Sequence, residues 1–331
     1  MKMRLMLAAL GLAAAGYMTG AAYAAETEFG PADAKETYYW ISQNSTLPLF
    51  VRSDYRGMKQ VAEQLGIKLR IAGPTTIDLA AFIAAIDEVC AQHPAGVSVV
   101  GWDPSLAASV DKCIENKVPT VVDDADLPNS KRLAFIGTNW ETIGREQAKA
   151  IIKALPDGGK VAMMSIINAD NMQHAVKGFT DTLKAAGDKY QLVANEDDGG
   201  DSAKAAQVTA ALLAAHPDIG AIAGFDSESG AGIVQALNEA GATGKVVVTA
   251  MEQTPDFFKT LKDGSVNTII VQNRELFTYY AFKLLYDFNH NGLTTNGLSG
   301  WDGTPIPVNV DTGVLAVTKD NVDKIIAAMP K

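Results

Sequence analysis

Short runs dense in β-branched and apolar residues recur along the chain at 37–43, 67–72, 97–101, 118–123, 160–166, 191–195, 221–225, 245–250 and 266–271. Within each run the apolar residues are nearly continuous and do not alternate with polar ones. That is the pattern of parallel strands covered on both faces. Amphipathic stretches at 50–65, 78–92, 175–186, 201–215, 230–240 and 274–289 separate them and predict helices. Asp78, Ser105, Asp201, Thr254 and Asp320 stand where helices should open, and Gly66, Gly187 and Gly241 where they should stop. Repeated strand–helix units of this length predict parallel sheets flanked by helices, an α/β fold.

An internal repeat divides the pattern in two. The segment from Gln92-His93-Pro94 to Trp102-Asp103 is echoed by that from Ala215-His216-Pro217 to Phe225-Asp226. In each copy a helix ends at His-Pro, a strand follows, and an aromatic-Asp pair closes the segment. Upstream, the run from Lys35 to Gln43 matches in length the run from Lys160 to Asn168. Downstream, Lys117 to Asp124 matches Lys245 to Glu252. Coincidences in the same order along the chain predict two Rossmann-like lobes of like topology.

Composition fixes the setting. Lys2 and Arg4 precede an apolar run over 5–15, and Ala22-Tyr23-Ala24 is a small-x-small cleavage site, so a signal peptide cut after Ala24 and export to the periplasm are expected. What remains is more than one core of usual size would hold and suits two domains. Losing Lys2 and Arg4 takes the formal charge from −10 to −12. A chain that acidic offers nucleic acid no electrostatic footprint. Cys90 and Cys113 are the only cysteines and have no partner at metal spacing. An oxidising compartment permits a disulfide between them; two buried thiols packed as small apolar groups are the alternative.

Ligands of open parallel sheets bind beyond the carboxyl ends of the strands. The residues that end matched strands are Gln43 and Asn168, Asp103 and Asp226, and Asp124 and Glu252. Carboxylates accept from hydroxyls, and amides both donate and accept, so the set suits a polyhydroxylated ligand. For Asp103 and Asp226 the competing reading is an N-cap of the following helix. Trp102 and Phe50 are candidate stacking platforms, with core packing as the alternative for Trp102. The run from Asp287 to Leu298 begins like a calcium loop, but Leu298 stands where the bidentate Glu belongs. No nucleophile elbow, phosphate loop or dinucleotide fingerprint is present, so no catalytic residue, metal or cofactor is expected.

These features together resemble the periplasmic binding proteins of the ribose and galactose type, from Thr37 to about Thr318. The most specific pieces are Leu47-Pro48-Leu49-Phe50, the strand from Val118 to Asp124, Lys177-Gly178-Phe179, Phe225-Asp226, Glu252-Gln253-Thr254-Pro255-Asp256 and Val271-Gln272. The resemblance implies lobes of residues 36–138 plus 273–309 and 139–272 plus 310–331. A three-segment hinge would join them near Thr138, Gln272 and Asn309. It places polar ligand contacts at Gln43, Asp124, Gln173, Asp226, Glu252 and Gln272, with apolar stacking at Leu49 or Phe50. The implied partners are a small sugar or polyol and an inner-membrane permease of an ABC importer, with the protein acting as a monomer. A ribose-type site carries Arg after the Asp at 124 and Arg at 173. Here Ala125 and Gln173 stand there, so a different sugar, a reduced polyol or an amine-bearing ligand is expected, unless Arg52, Arg56 or Arg274 turns inward to compensate. A ligand-presenting subunit for a membrane sensor or chemoreceptor is the alternative, and a secreted glycoside-processing enzyme a remote one.

Overall fold

The computed structural model describes residues 28–290 and 305–328; the signal segment expected at 1–24, and Leu298, lie outside the described residues. The first half of the chain alternates β1 (Glu28–Phe29), β2 (Thr37–Ile41), α1 (Tyr55–Leu65), β3 (Lys68–Ala72), α2 (Leu79–Ala91), β4 (Gly96–Val100), α3 (Ala107–Glu115), β5 (Thr120–Asp124) and β6 (Phe135–Gly137). Then come α4 (Trp140–Ala154), β7 (Gly159–Ser165), α5 (Asp170–Ala185), β8 (Tyr190–Asp197), α6 (Ser202–Ala215), β9 (Ile219–Gly224), α7 (Ser229–Glu239), β10 (Val247–Ala250), α8 (Lys259–Asp263) and β11 (Thr268–Gln272). The chain closes with α9 (Arg274–His290), β12 (Asn309–Asp311), β13 (Val314–Val317) and α10 (Val322–Ala328).

Among the described residues these strands form two sheets, in the orders β1-β3-β2-β4-β5-β6-β12 and β13-β11-β10-β9-β7-β8. Every neighbouring pair is parallel except the edge strands β1 and β13, which run antiparallel to β3 and β11. Successive residues of a strand face opposite ways, and both ways are buried here. In the first sheet Trp40, Ile71, Val100 and Val121 pack in one cluster with residues of α1 and α9. Tyr39, Ile41, Val97, Val99 and Val122 pack in another with residues of α2 and α3. The second sheet repeats this with Ala162, Met164 and Ile222 on one side and Val161, Met163 and Ala221 on the other.

Cys90 on α2 and Cys113 on α3 form a disulfide inside the second of the first sheet's clusters. In the other lobe, α4 and α5 pack backbone to backbone. A Cβ added to Gly144 would come within 1.9 Å of the Ala175 carbonyl oxygen, and one on Gly178 within 2.1 Å of that of Glu141. No residue with a side chain fits at either place.

Among the described residues the chain passes between the sheets at three places. It leaves the first after β6, at residues 138–139, and returns after β11, at Asn273. It leaves again after β12, at residues 312–313. That last passage comes later than Asn309, because Val310 and Asp311 pair with Ile136 and Gly137 of β6.

Capping follows the sequence at Asp78 and Asp201, whose carboxylates accept from the amides of Ala81 and Lys204. It departs at Ser105. There Asp103 is the cap, its Oδ1 accepting from the Ser105 amide at 2.8 Å.

Candidate functional site

On the first sheet β2, β4 and β5 are neighbours, so Gln43, Trp102 with Asp103, and Asp124 stand side by side beyond their carboxyl ends. On the second sheet the order β11-β10-β9-β7-β8 lines up Gln272, Glu252, Asp226, Asn168 and the Asp197–Asp198 pair in the same way. Between the lobes an open cleft of ≈ 660 Å³ is walled by Leu49, Arg52, Arg56 and Arg274 from one side and by Thr254, Pro255, Phe258 and Gln272 from the other. A second hollow of ≈ 510 Å³ lies against the passages at Thr138 and Asp311, with Trp140, Asn171 and His174 in its wall.

Asp124 is the most heavily engaged of these residues. Its backbone takes a left-handed conformation, φ 65°, rare for a residue with a Cβ. Arg274 Nη1 donates to its Oδ1 at 2.9 Å, and Arg274 Nη2 and Trp102 Nε1 donate to its Oδ2 at 3.1 and 2.9 Å. The same guanidinium grips Asp54 from Nε and Nη2 at 2.9 and 3.0 Å. It lies against the rings of Phe50 and Phe277, 5.2 and 5.0 Å from their centroids. Burial holds the Asp54 carboxyl up at about 6 against the opposing pull of Arg274. The two carboxylates push the Arg274 guanidinium well above its usual range despite burial.

Phe50 was expected to face a ligand ring, and the structure corrects this. It is fully buried in the first lobe's core. It lies under Trp102 in a stacked pair, centroids 5.4 Å apart, and edge-on to Trp40. Trp102, half-buried, is therefore the outermost aromatic of that stack. Asp103 serves as the cap described above. Gln43 is half-buried, and its buried Oε1 has no hydrogen-bond partner among the described residues. The adjacent Asp123 is buried beside the same aromatic cluster, where Trp40 Nε1 and Ser98 Oγ donate to its Oδ2 and its Oδ1 has no hydrogen-bond partner among the described residues. Burial and the neighbouring charges of Asp54 and Asp124 raise its carboxyl to about 8.

In the second lobe Asp226 caps α7, its Oδ1 accepting from the amides of Glu228 and Ser229 at 2.8 Å each. Its Oδ2 lies 2.7 Å from Ser229 Oγ, which lies 2.5 Å from Asp198 Oδ2. One hydroxyl carries one proton and can donate to only one carboxylate. The other carboxyl must bring a proton of its own, and burial together with the charge of Asp198 raises Asp226 to about 7. Burial also raises Glu252, against hydrogen bonds from Thr254 and the charge of Arg52. Asn168 and Gln173 are exposed. Gln272, at the end of β11, lines the cleft, and its buried Nε2 has no hydrogen-bond partner among the described residues.

Sequence reasoning missed Asp54, Asp198 and Ser229. Asp198 was within reach: β8 runs to Asp197, and ending that strand at 195 hid the acid beyond its end. No group of acids, histidines and cysteines suited to a metal ion occurs among the described residues. No described helix is long and apolar enough to cross a membrane.

Comparison with known proteins agrees with this fold. The chain is 26% identical over 248 residues to the D-allose-binding periplasmic protein of Escherichia coli (strain K12), covering 72% of this chain and 79% of that protein. Its fold superposes on a sugar-binding protein of a sugar ABC transporter from Bacillus halodurans with a TM-score of 0.82, at 26% identity over 87% of this chain and 99% of that one. It also superposes on the arabinose-binding protein AraP of Geobacillus stearothermophilus, with a TM-score of 0.78, at 27% identity over 87% and 98%. Residues 38–290 match the periplasmic binding protein domain, and with its two α/β lobes the chain belongs to that family of binding proteins.

Proposed function

We propose that the protein is the periplasmic binding component of an ABC importer and takes up one small neutral sugar or polyol between its lobes. The observation that carries this reading is the arrangement of polar side chains. On each sheet they stand at the carboxyl ends of adjacent strands, and the chain passes between the lobes at three short segments that suit a hinge. Gln43, Trp102 and Asp124 hold the ligand from the first lobe. Asn168, Gln173, Asp226, Glu252 and Gln272 close on it from the second, whose last segment begins past the passage at residues 312–313. A ligand that touches both sides has higher affinity for the closed state and shifts the population toward it. The closed monomer then docks on an inner-membrane permease.

The names of the relatives supply the probes. Protein purified from the periplasm is melted with D-allose, D-ribose, D-arabinose and a set of hexoses and polyols. A ligand bound to the native state alone raises the melting temperature, and calorimetry then gives a one-to-one complex. A panel with no shift at millimolar concentration would refute the sugar-binding reading.

A further inference from the structure

We infer that Arg274 is a ligand-contact residue, which supplies from the start of α9 the guanidinium absent at Ala125 and Gln173. The inference rests on the sugar-binding reading and extends it to the chemistry of the ligand.

A guanidinium has five N–H donors. In Arg274, Nε and one Nη2 hydrogen go to Asp54, the other Nη2 hydrogen to Asp124 Oδ2, and one Nη1 hydrogen to Asp124 Oδ1. The second Nη1 hydrogen has no partner among the described residues. Asp124 shows the complementary remainder. Its Oδ2 accepts from Arg274 and Trp102, which fills that atom, while its Oδ1 accepts once and keeps a lone pair. The unused donor and the unused acceptor thus sit on atoms 2.9 Å apart, and Arg274 forms part of the cleft wall. Phe50 and Phe277, with the two carboxylates, fix the plane of the guanidinium and so the direction of the free N–H.

A buried charged donor left without a partner is costly, and a ligand oxygen at the cleft removes that cost. The couple fits two neighbouring hydroxyls of a neutral sugar or polyol, one donating to Asp124 Oδ1 and the other accepting from Arg274 Nη1. An ammonium in the second position has no lone pair to offer Nη1. This half of the site therefore requires an acceptor oxygen beside the group that donates to Asp124, as the two hydroxyls of a vicinal diol supply.

The test is calorimetry with whichever of D-allose, D-ribose and D-arabinose binds the wild type most tightly. Arg274→Lys keeps the cation but lacks the fork, and its affinity should fall about tenfold or more. Thr278→Val removes the hydrogen bond from α9 to the Asp54 carbonyl, loosening the packing beside the cluster without touching the guanidinium, and its affinity should stay within about threefold of wild type. The double variant Asp54→Asn with Arg274→Gln strands one carboxylate fewer and should lose affinity as Arg274→Lys does. Binding by Arg274→Lys at wild-type strength overturns the inference. So does equal weakening by Thr278→Val, the mark of a structural brace. Failure of the wild type to bind any of the three sugars counts against the sugar reading itself, and the assignment of Arg274 falls with it.

Discussion

Removing the Cys90–Cys113 disulfide has a calculable effect. The bond joins α2 to α3 across 23 residues of sequence. Closing a loop of that size in the unfolded chain removes entropy equivalent to about 3.4 kcal/mol at 25 °C in the chain-entropy model. Both sulfurs are buried among Ile86, Val89, Leu106 and Val110. Reduction therefore removes the crosslink while keeping the packing, whereas Cys90→Ala with Cys113→Ala also loses the sulfur contacts. Both cysteines belong to the first lobe, so the effect should appear in that lobe's transition, as a fall in melting temperature of about 10 °C on reduction. The double alanine variant should fall at least as far. Scanning calorimetry with and without reductant reads both, and far-ultraviolet circular dichroism reports whether the fold persists below the transition. If the reduced protein melts within a degree or two of the oxidised one, the unfolded chain is not the state the crosslink constrains, and the reasoning fails.

Trp102→Phe keeps the stack on Phe50 but removes a donor from Asp124; calorimetry should show sugar affinity lower by about tenfold, with little change in melting temperature. Gly144→Ala sets a Cβ against the Ala175 carbonyl, and chemical denaturation should show a loss of at least about 2 kcal/mol in the second lobe. Asp123, Asp54 and Asp226 all have carboxyls raised by burial, to about 8, 6 and 7. The folded state then holds protons that the unfolded state releases, so stability should fall as pH rises from about 4 to about 8. Asp123→Asn removes the largest of the three contributions. Melts at pH 5 and pH 8.5 should show the variant gaining on wild type as pH rises, and a constant gap would count against the buried proton.

The fold was legible because a strand covered on both faces must be apolar throughout. The runs containing Val97, Val99 and Val100, or Val161 to Met164, can hardly be read otherwise. Where that condition lapses the signal lapses too. The edge strands β1 and β12 are two and three residues long and half-exposed, and β8 shows water much of one face. Neither length nor hydrophobicity marks their ends. The repeat could place Gln43, Asp124, Asp226 and Glu252 at strand ends because topology alone puts them there.

What those side chains do once placed depends on groups far away in sequence, and here local pattern has nothing to say. Asp54, Asp124 and Arg274 meet from positions 220 and 150 residues apart. Phe50 is covered by Trp102, which turned an expected platform into its underlay. The charge at Asp124 is therefore set by the first turn of a helix that begins just past the return from the second lobe. In the closure proposed above, movement of the lobes about Asn273 would pull on that helix start, and Arg274, which pairs with Asp124, is the first residue beyond it. On the proposed closure, a substitution at Arg274 should change affinity and the unliganded balance of open and closed lobes together, whereas one at Asn168 or Gln173, exposed on the second lobe, should alter closure only through the ligand affinity it removes.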